Sequence, residues 1–267
     1  MQQLVIGFLL AVLIASGAYF SHSLNRSGAL AAVLVGTVIF GLGGWPWAVV
    51  LLTFFLSSSL LTRLFKKQKA PLNEKYDKGG QRDAGQVLAN GGLAAIFAGP
   101  HFFLPQGAWT WAAFTASLAA VNADTWATEL GVLNPSQPRL ITNLKQVERG
   151  TSGGISWSGI LASLAGGGLV SLVAILVKPA PVGLIFFLII SLAGLLGSLF
   201  DSLLGATLQA IFFCPHCQKE TERHPFHTCG TATDQIRGIS WLNNDLVNLG
   251  CSLAGALLGL LVGVLLL

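Results

Sequence analysis

The chain has 267 residues and a net charge of +4, and 53% of its residues are apolar while only 10% are charged. A soluble globular domain carries about 25% charged residues, so this composition excludes a water-soluble domain, a disordered chain and a nucleic-acid-binding arm. Four cysteines also exclude a disulfide-stapled secreted domain, and we therefore expect a polytopic membrane protein without a nucleic-acid partner.

Eight apolar segments are long enough to cross a bilayer, which takes roughly 20 residues per helix. The second and third are short and joined by a Gly-Gly-Trp-Pro turn, which predicts a helical hairpin; a re-entrant hairpin would leave seven spans. The seventh is too long for one span, so its last turns should extend beyond the hydrocarbon. The segments are 4–20, 28–44, 46–62, 85–104, 108–129, 153–177, 182–213 and 245–267. The sequence thus predicts an all-α transmembrane bundle in which residues 1–267 form a single membrane domain.

The basic residues predict the orientation of these spans. With eight spans, every Lys and Arg except Lys178 falls in loops on one side of the membrane. The positive-inside rule makes these loops cytoplasmic and leaves both termini outside. They include a basic loop at residues 63–84 and a loop at residues 214–240. Since all acidic residues lie in the same half, the pattern favours an enzyme at the cytoplasmic face over a transporter with polar groups on both sides.

A polar cluster opens the fourth span. Asp83, Gln86 and Asn90 share one helical face there, directly after Arg82. Carboxylates near a membrane are costly and mark a functional site by default, although hydrogen bonding between helices is an alternative. Arg82, Asp83 and Asn90 are therefore candidate substrate-binding residues.

The densest cluster is Asn-Ala-Asp-Thr-Trp-Ala-Thr-Glu at residues 122–129, at the cytoplasmic end of the fifth span. Helical spacing puts Asn122 and Glu129 on one face and Asp124 on a neighbouring face. Asn122 is a candidate substrate- or nucleotide-binding residue. Two carboxylates this close can hold Mg²⁺ together with water and phosphate oxygens. The simpler alternative is an exposed acid pair at a polar helix end, but such acids oppose the helix dipole and need a partner.

A glycine-rich segment precedes the sixth span. It reads Gly-Thr-Ser-Gly-Gly at residues 150–154, and the free amides of the following helix should face the cytoplasm. Amides, hydroxyls and cations together suit a phosphate, although no lysine follows at the spacing of a Walker A loop. A capped helix with basic residues anchored among lipid headgroups is the alternative. The candidate binding residues here are Lys145, Glu148, Arg149, Thr151, Ser152 and Gly153.

Two further clusters lie at the same depth. Asp201 is flanked by apolar residues in the seventh span, and Asn244 and Asp245 open the eighth. Each cluster alone could serve helix packing, but their shared depth favours one site. We expect Asp201 to join the Mg²⁺ ligands, and Asn244 and Asp245 to contact substrate or nucleotide.

The loop after the seventh span carries Cys-Pro-His-Cys at residues 214–217, followed by further His and Cys residues. A C-x₂-C pair with a later His and Cys supplies a closed tetrahedral zinc set, and a cytoplasmic location disfavours disulfides. His216 or His224 could take the place of the chosen histidine, and an empty polar loop is also open. The expected ligands of this structural zinc are Cys214, Cys217, His227 and Cys229.

Four strings in combination resemble the integral membrane family that includes phytyl-phosphate kinase of plants and cyanobacteria. They lie at residues 122–129, 148–154, 201–206 and 241–245, and the resemblance extends from Arg26 to the last span. It implies phosphorylation of an isoprenyl monophosphate to the diphosphate, with CTP as donor, in phytol salvage toward tocopherol. It also implies a plasma or thylakoid membrane location.

The expected reaction is phosphoryl transfer at the cytoplasmic face, which depends on positioning and charge neutralisation. The prenyl tail would lie between helices, and Arg82, Lys145 or Arg149 would hold its phosphate. Mg²⁺ would bridge the nucleotide phosphates. The candidate catalytic residues are Asp124, Glu129, Asp201 and Lys145, of which the three acids are the candidate Mg²⁺ ligands.

Two other functions remain open, as does the oligomeric state. A transporter or flippase of a polyprenyl phosphate or small anion would use the same basic loops but needs a path to the outer face. A cytidylyltransferase would join CMP to a lipid phosphate and release pyrophosphate. The reaction products distinguish both from a kinase.

Overall fold

The structure, a computed structural model, describes residues 2–72, 74–104, 108–177 and 183–265. Within these ranges the chain is mostly helical, and eight of its α-helices have 18 or more residues. The helices are α1 (Gln2–Phe20), α2 (Arg26–Gly43), α3 (Trp45–Leu64), α4 (Lys66–Lys69), α5 (Ala84–Phe103), α6 (Ala108–Gly131), α7 (Trp157–Val177), α8 (Gly183–Thr207) and α9 (Asn244–Leu265). A 3₁₀ turn at Ala70–Leu72 follows α4.

Six of the described helices are long and apolar enough to cross a membrane, namely α1, α2, α3, α7, α8 and α9. Their outward faces carry exposed large apolar residues such as Leu13, Leu30 and Leu188, which suit lipid better than water. This confirms the predicted helical membrane bundle. The count of eight spans and the outside position of both termini stay predictions.

Helix α6 lies at the centre of the bundle, because α3, α5, α7, α8 and α9 all pack against it. Small residues allow the close approach of α9: a side chain at Gly255 or Gly259 would meet the α6 backbone. Ser117 and Ser252 also hydrogen-bond across this interface at 2.8 Å. Small residues and buried hydroxyls are typical of helix packing in membranes. Since protein surrounds α6, this helix can be more polar than a helix in contact with lipid.

The turn between α1 and α2 holds the loop before α5 in place. The backbone N–H of Arg82 donates to the carbonyl oxygen of Ser23, and the N–H of Asn25 donates to the carbonyl oxygen of Arg82, both at 3.0 Å. Residue 28 must be glycine, because any Cβ there would clash with the carbonyl oxygen of Arg82. Asp83 then caps α5 through a capping box with Gln86.

Two small antiparallel sheets lie between the helices, so the predicted all-α class applies only to the bundle itself. Strand β1 (Arg139–Leu140) pairs with β2 (Gly154–Ile155). In the second sheet, β3 (Ile211–Cys214) lies between β4 (Lys219–Thr221) and β5 (Asp234–Arg237). The predicted loop at 214–240 therefore carries the strands β4 and β5 of this sheet, joined by turns and irregular segments.

Two predicted span boundaries are wrong because a short β-strand occupies the predicted end of the span in each case. The segment 153–177 becomes helical only at Trp157, because Gly153 has a φ of +84° and β2 follows it. The segment 182–213 leaves its helix at Thr207, because its last residues form β3. Lys178 and the predicted span ends at residues 182 and 267 lie outside the described residues.

Candidate active site

A cavity of about 370 Å³ opens at the end of the bundle where α3, α6 and α8 end and α5, α7 and α9 begin. Residues from distant parts of the chain line it together. Of the residues singled out from the sequence, the lining includes Arg82, Asn90, Asp124, Glu129, Arg149, Thr151, Ser152, Gly153, Asp201, Asn244 and Asp245.

Four of the predicted site residues do not line this cavity. Asn122 is buried between α3 and α7, where its amide donates to the carbonyl oxygen of Gly166 at 2.8 Å and accepts from Ser57 at 3.0 Å. These hydrogen bonds join α6 to α3 and α7, so the Asn122 amide serves packing between helices. Lys145 and Glu148 are exposed, and Glu148 forms an ion pair with Lys75. Asp83 caps α5 and pairs with Lys78, which does line the cavity.

The acidic side of the cavity carries carboxylate oxygens that lack hydrogen-bond partners. One oxygen of Glu129 accepts from Lys69 and from Thr62, each at 2.9 Å. Its other oxygen and one oxygen of Asp201 are buried without a hydrogen-bond partner among the described residues. Among the described residues, Asp124 has a single long contact, of 3.5 Å, with Ser198. Buried carboxylates in this state need a proton or a cation.

These carboxylates fit a hard divalent cation, which prefers oxygen ligands. They come from neighbouring helices, Asp124 and Glu129 from α6 and Asp201 from α8. Within the described ranges, however, the oxygens of these three carboxylates do not lie as close together as the ligand atoms of Cys214, Cys217, His227 and Cys229 do. The arrangement suits Mg²⁺ with one or two direct carboxylates, the remaining positions being filled by water and phosphate oxygens.

Arg82 supplies a cation without an anionic partner. Its guanidinium lies 5.4 Å from the ring centre of Phe54 and 5.8 Å from that of Phe55. No described carboxylate lies within ion-pair distance of it. Burial lowers the pKa of Arg82 to about 10, so the group stays charged at neutral pH. A buried charge of this kind calls for a bound anion.

Lys78 joins the starts of two helices beside Arg82. Its ammonium group lies 2.8 Å from Asp83 and also contacts Asp245, the second residue of α9. Burial lowers the pKa of Lys78, but these two carboxylates outweigh that effect and raise it overall. The second oxygen of Asp245 is buried without a hydrogen-bond partner among the described residues.

The glycine-rich segment lies against the end of α8. Gly153 backs directly onto Ala206, where a Cβ would lie 2.5 Å from the alanine methyl group. Ser152 donates to the side-chain oxygen of Gln209. The amide of Gln209 donates in turn to Glu222 at 2.9 Å. This chain of contacts fixes one wall of the cavity.

Several lining residues were missed from the sequence, namely Lys66, Lys69, Tyr76, Asp77, Lys78 and Glu222. Lys66 and Lys69 are three residues apart directly after α3, a spacing that puts both on one helical face and could have signalled a site. Glu222 carried no such signal, because it reaches the cavity from the sheet that follows α8.

An apolar groove of about 220 Å³ runs between α1, α2, α3 and α5. Alanine, leucine, valine and phenylalanine side chains dominate its lining. Arg82, Gln86 and Asn90 line both this groove and the polar cavity. The two spaces therefore meet at the unpaired arginine.

The four predicted zinc ligands lie together, away from the cavity. The ligand atoms of Cys214, Cys217, His227 and Cys229 all lie within 4.8 Å of one another. The sulfurs of Cys214 and Cys229 are 3.6 Å apart, and Nδ1 of His227 lies 3.4 Å from the sulfur of Cys229. His216 and His224 are not part of this cluster.

Comparison with known proteins places the chain among integral membrane proteins. The profile described as Integral membrane protein DUF92 matches residues 9–256. Protein PGR of Arabidopsis thaliana is 35% identical over 92% of this chain and 91% of that protein. An uncharacterized membrane protein of Methanocaldococcus jannaschii is 30% identical over 91% and 87%. Protein VTE6, chloroplastic, of Arabidopsis thaliana is 26% identical over 84% and 61%. No solved structure matches this chain.

Proposed function

The chain belongs to the integral membrane family DUF92, and we propose that it phosphorylates an isoprenyl monophosphate to the diphosphate with CTP as donor. The family resemblance drawn from the sequence motifs is confirmed by the profile and by the relatives PGR and VTE6. The activity itself is a proposal that rests on the site described above.

One observation carries the proposal: Arg82 stands where the apolar groove meets the polar cavity. A molecule that fits both spaces has an apolar tail and an anionic head. The groove suits the branched chain of an isoprenoid, and the arginine suits a phosphate, which guanidinium groups bind through paired hydrogen bonds. Asn90 and Gln86 line the same junction and can donate further hydrogen bonds.

The acidic side of the cavity suits the donor nucleotide. One or two of the carboxylates of Asp124, Asp201 and Glu129 would hold Mg²⁺ directly, and the ion would neutralise charge on the transferred phosphoryl group. The backbone and hydroxyl groups of Thr151 to Gly153, together with Arg149, line the same cavity and can bind the other phosphates of the donor.

The reaction needs little from the protein beyond alignment. A phosphate oxygen of the acceptor attacks the γ-phosphorus of the donor, and the bond between that phosphorus and the β–γ bridging oxygen breaks. The nucleoside diphosphate leaves with the bond electrons. Because the attacking oxygen already carries negative charge, no strong general base is required. We place the site on the cytoplasmic face, following the basic loops, in a plasma or thylakoid membrane.

The direct test uses purified protein in detergent with Mg²⁺, γ-³²P-labelled CTP and geranylgeranyl or phytyl monophosphate. We expect labelled prenyl diphosphate and an equal amount of CDP. Arg82→Gln should lower kcat/KM for the prenyl phosphate by about 10- to 100-fold, since a hydrogen bond to a charged group contributes about 1.5–3 kcal/mol. Arg26→Gln, at the exposed first residue of α2, is the matched control and should behave as the unchanged protein.

Two results would overturn the proposal. Release of pyrophosphate with transfer of CMP would identify a cytidylyltransferase. Movement of prenyl phosphate across sealed vesicles without nucleotide consumption would identify a flippase.

Arg82→Lys keeps the charge but loses the fork geometry, so it separates loss of phosphate recognition from loss of folding.

A further inference from the structure

The cysteine cluster lies in a part of the chain that is too small to be stable through its own apolar core. The segment between α8 and α9 contains one three-stranded sheet with strands of three or four residues. Sheets of this size need an added constraint, such as a metal or packing against other elements. Cys214 and His227 are nevertheless buried.

The geometry of the cluster fits a tetrahedral metal site. Zinc with Zn–S bonds of about 2.3 Å holds two sulfurs about 3.8 Å apart, close to the 3.6 Å between Cys214 and Cys229. The backbone N–H of Cys217 lies 3.5 Å from the sulfur of Cys214 and points at it. Such N–H contacts stabilise a thiolate, and outer contacts of this kind are usual at metal sites. Three thiolates and one imidazole leave no open position, which indicates a structural site.

We propose that these four residues bind one Zn²⁺, and that the metal holds residues 74–78 in place as a wall of the polar cavity. None of the four ligands lines that cavity. The proposed role is therefore one of support, and it does not depend on which reaction the cavity carries out.

The connection from the cluster to the cavity runs along strand β4. Cys214 pairs with Lys219 across β3 and β4. Lys219 forms an ion pair with Glu74 at 2.9 Å, and the hydroxyl of Thr221 donates to the carbonyl oxygen of Glu74 at 2.8 Å.

The residue that follows the strand reaches the cavity itself. The backbone N–H of Glu222 donates to the carbonyl oxygen of Lys75 at 2.8 Å. Both Glu222 and the residues that follow Lys75, namely Tyr76, Asp77 and Lys78, line the cavity. Release of the metal would free β4 and, with it, this wall.

The test uses the full-length protein purified in detergent without added metal. Elemental analysis should find about one zinc per chain, the single metal that one four-ligand site holds. Cys214→Ser and Cys217→Ser should each lose it. Cys251→Ser is the matched control, because Cys251 is a buried cysteine of α9 outside the cluster, and it should keep the zinc.

Hydrogen exchange supplies the second measurement. Removal of zinc from the unchanged protein with a chelator should raise amide exchange in residues 74–78 and 219–223, while the centre of α6 stays protected. Using the unchanged protein avoids variants that fail to fold. A metal-free protein with a Cys214–Cys229 disulfide would overturn the zinc site. Bound zinc whose removal leaves exchange in both segments unaltered would overturn the supporting role.

Discussion

The ammonium group of Lys69 lies 2.9 Å from the carboxylate of Glu129, and this ion pair joins the short helix α4 to the central helix α6. The two side chains are only 15% and 6% exposed. The pair therefore fixes the basic loop after α3 against the floor of the cavity. In a buried ion pair each charge offsets the cost of removing the other from water, so loss of one partner should destabilise the protein more than loss of both.

Lys69→Met should lower the free energy of unfolding by about 3 kcal/mol, because it leaves a buried carboxylate without its partner. The double variant Lys69→Met/Glu129→Met should recover much of this loss. Unfolding of the purified protein in detergent measures both. Lys219→Met, at the exposed pair with Glu74, is the control and should change stability little. Equal losses in the single and double variants would contradict the prediction.

Glu222 should make stability depend on pH. Burial raises the pKa of its carboxyl to about 7, with further contributions from Asp77 and Asp245. The unfolded carboxyl has a pKa of about 4.3, so between these values the folded protein binds more protons. The stabilising contribution is complete below about pH 4 and is lost as the pH rises through 7.

The ionisation of Glu222 should therefore lower the unfolding temperature as the pH rises from 5 to 8. Glu222→Gln should flatten the plot of unfolding temperature against pH. The glutamine retains an oxygen that accepts from Gln209. Glu220→Gln, at an exposed position of the adjoining strand β4, should leave the slope as it was. Parallel curves for Glu222→Gln and the unchanged protein would show that another group is responsible.

Gly153→Ala should damage the glycine-rich wall. A left-handed backbone costs a non-glycine residue about 1–2 kcal/mol, and the added methyl group would also clash with Ala206. We expect a lower unfolding temperature and weaker nucleotide binding, measured by calorimetry. Gly17→Ala, on the exposed face of α1, is the control, because its Cβ would meet no atom within 4 Å. Unchanged nucleotide binding in Gly153→Ala would exclude this segment from the donor site.

The groove should select the length of the prenyl chain. Ala48 and Phe55 both line the groove. Ala48 lies seven residues before Phe55 on α3, so it is roughly 10 Å farther along the helix from the end of the groove that Arg82 lines. Ala48→Phe should therefore lower activity on geranylgeranyl phosphate by more than on geranyl phosphate. Leu56→Phe, on the exposed face of the same helix, should affect both equally. An equal loss on both substrates in Ala48→Phe would place the tail elsewhere.

Asp201→Asn should impair metal binding more than folding. The variant removes a buried charge whose oxygen lacks a hydrogen-bond partner, so stability should hold or rise, while kcat falls more than tenfold and the Mg²⁺ concentration for half-activity rises. Electron paramagnetic resonance with Mn²⁺ gives an independent measure of binding. Asp234→Asn, an exposed residue of β5, should leave both unchanged. Full activity in Asp201→Asn would remove it from the metal site.

The sequence alone singles out the acids and the glycine-rich segment that line the cavity, and their roles there stay predictions. Carboxylates such as Asp124 and Asp201 stand out in apolar helices because burying them is costly, and the helix ends that carry them must lie at similar depth. The structure indeed brings both to one cavity. Arg82 also stands out, being followed directly by the polar face of α5.

Other members of the site depend on contacts that no local pattern encodes. The pairing of Lys69 with Glu129 spans 60 residues, and Glu222 reaches the cavity only through the pairing of β4 with residues 74–75. Asn122 shows the opposite case: its motif suggested a binding role, while its neighbours Ser57 and Gly166 occupy its amide. Periodicity describes one helix and cannot specify which neighbour faces it.

The backbone of Arg82 is held by Ser23 and Asn25, two residues of the turn between α1 and α2. The position of Arg82 therefore depends on the α1–α2 hairpin, whereas the positions of Asp124, Glu129 and Asp201 depend on the central helices α6 and α8. A chain that began after α2 could still assemble the acidic half of the cavity around α6. It would lose its hold on the lipid phosphate, together with two walls of the groove, and so would separate recognition of the acceptor from binding of the donor.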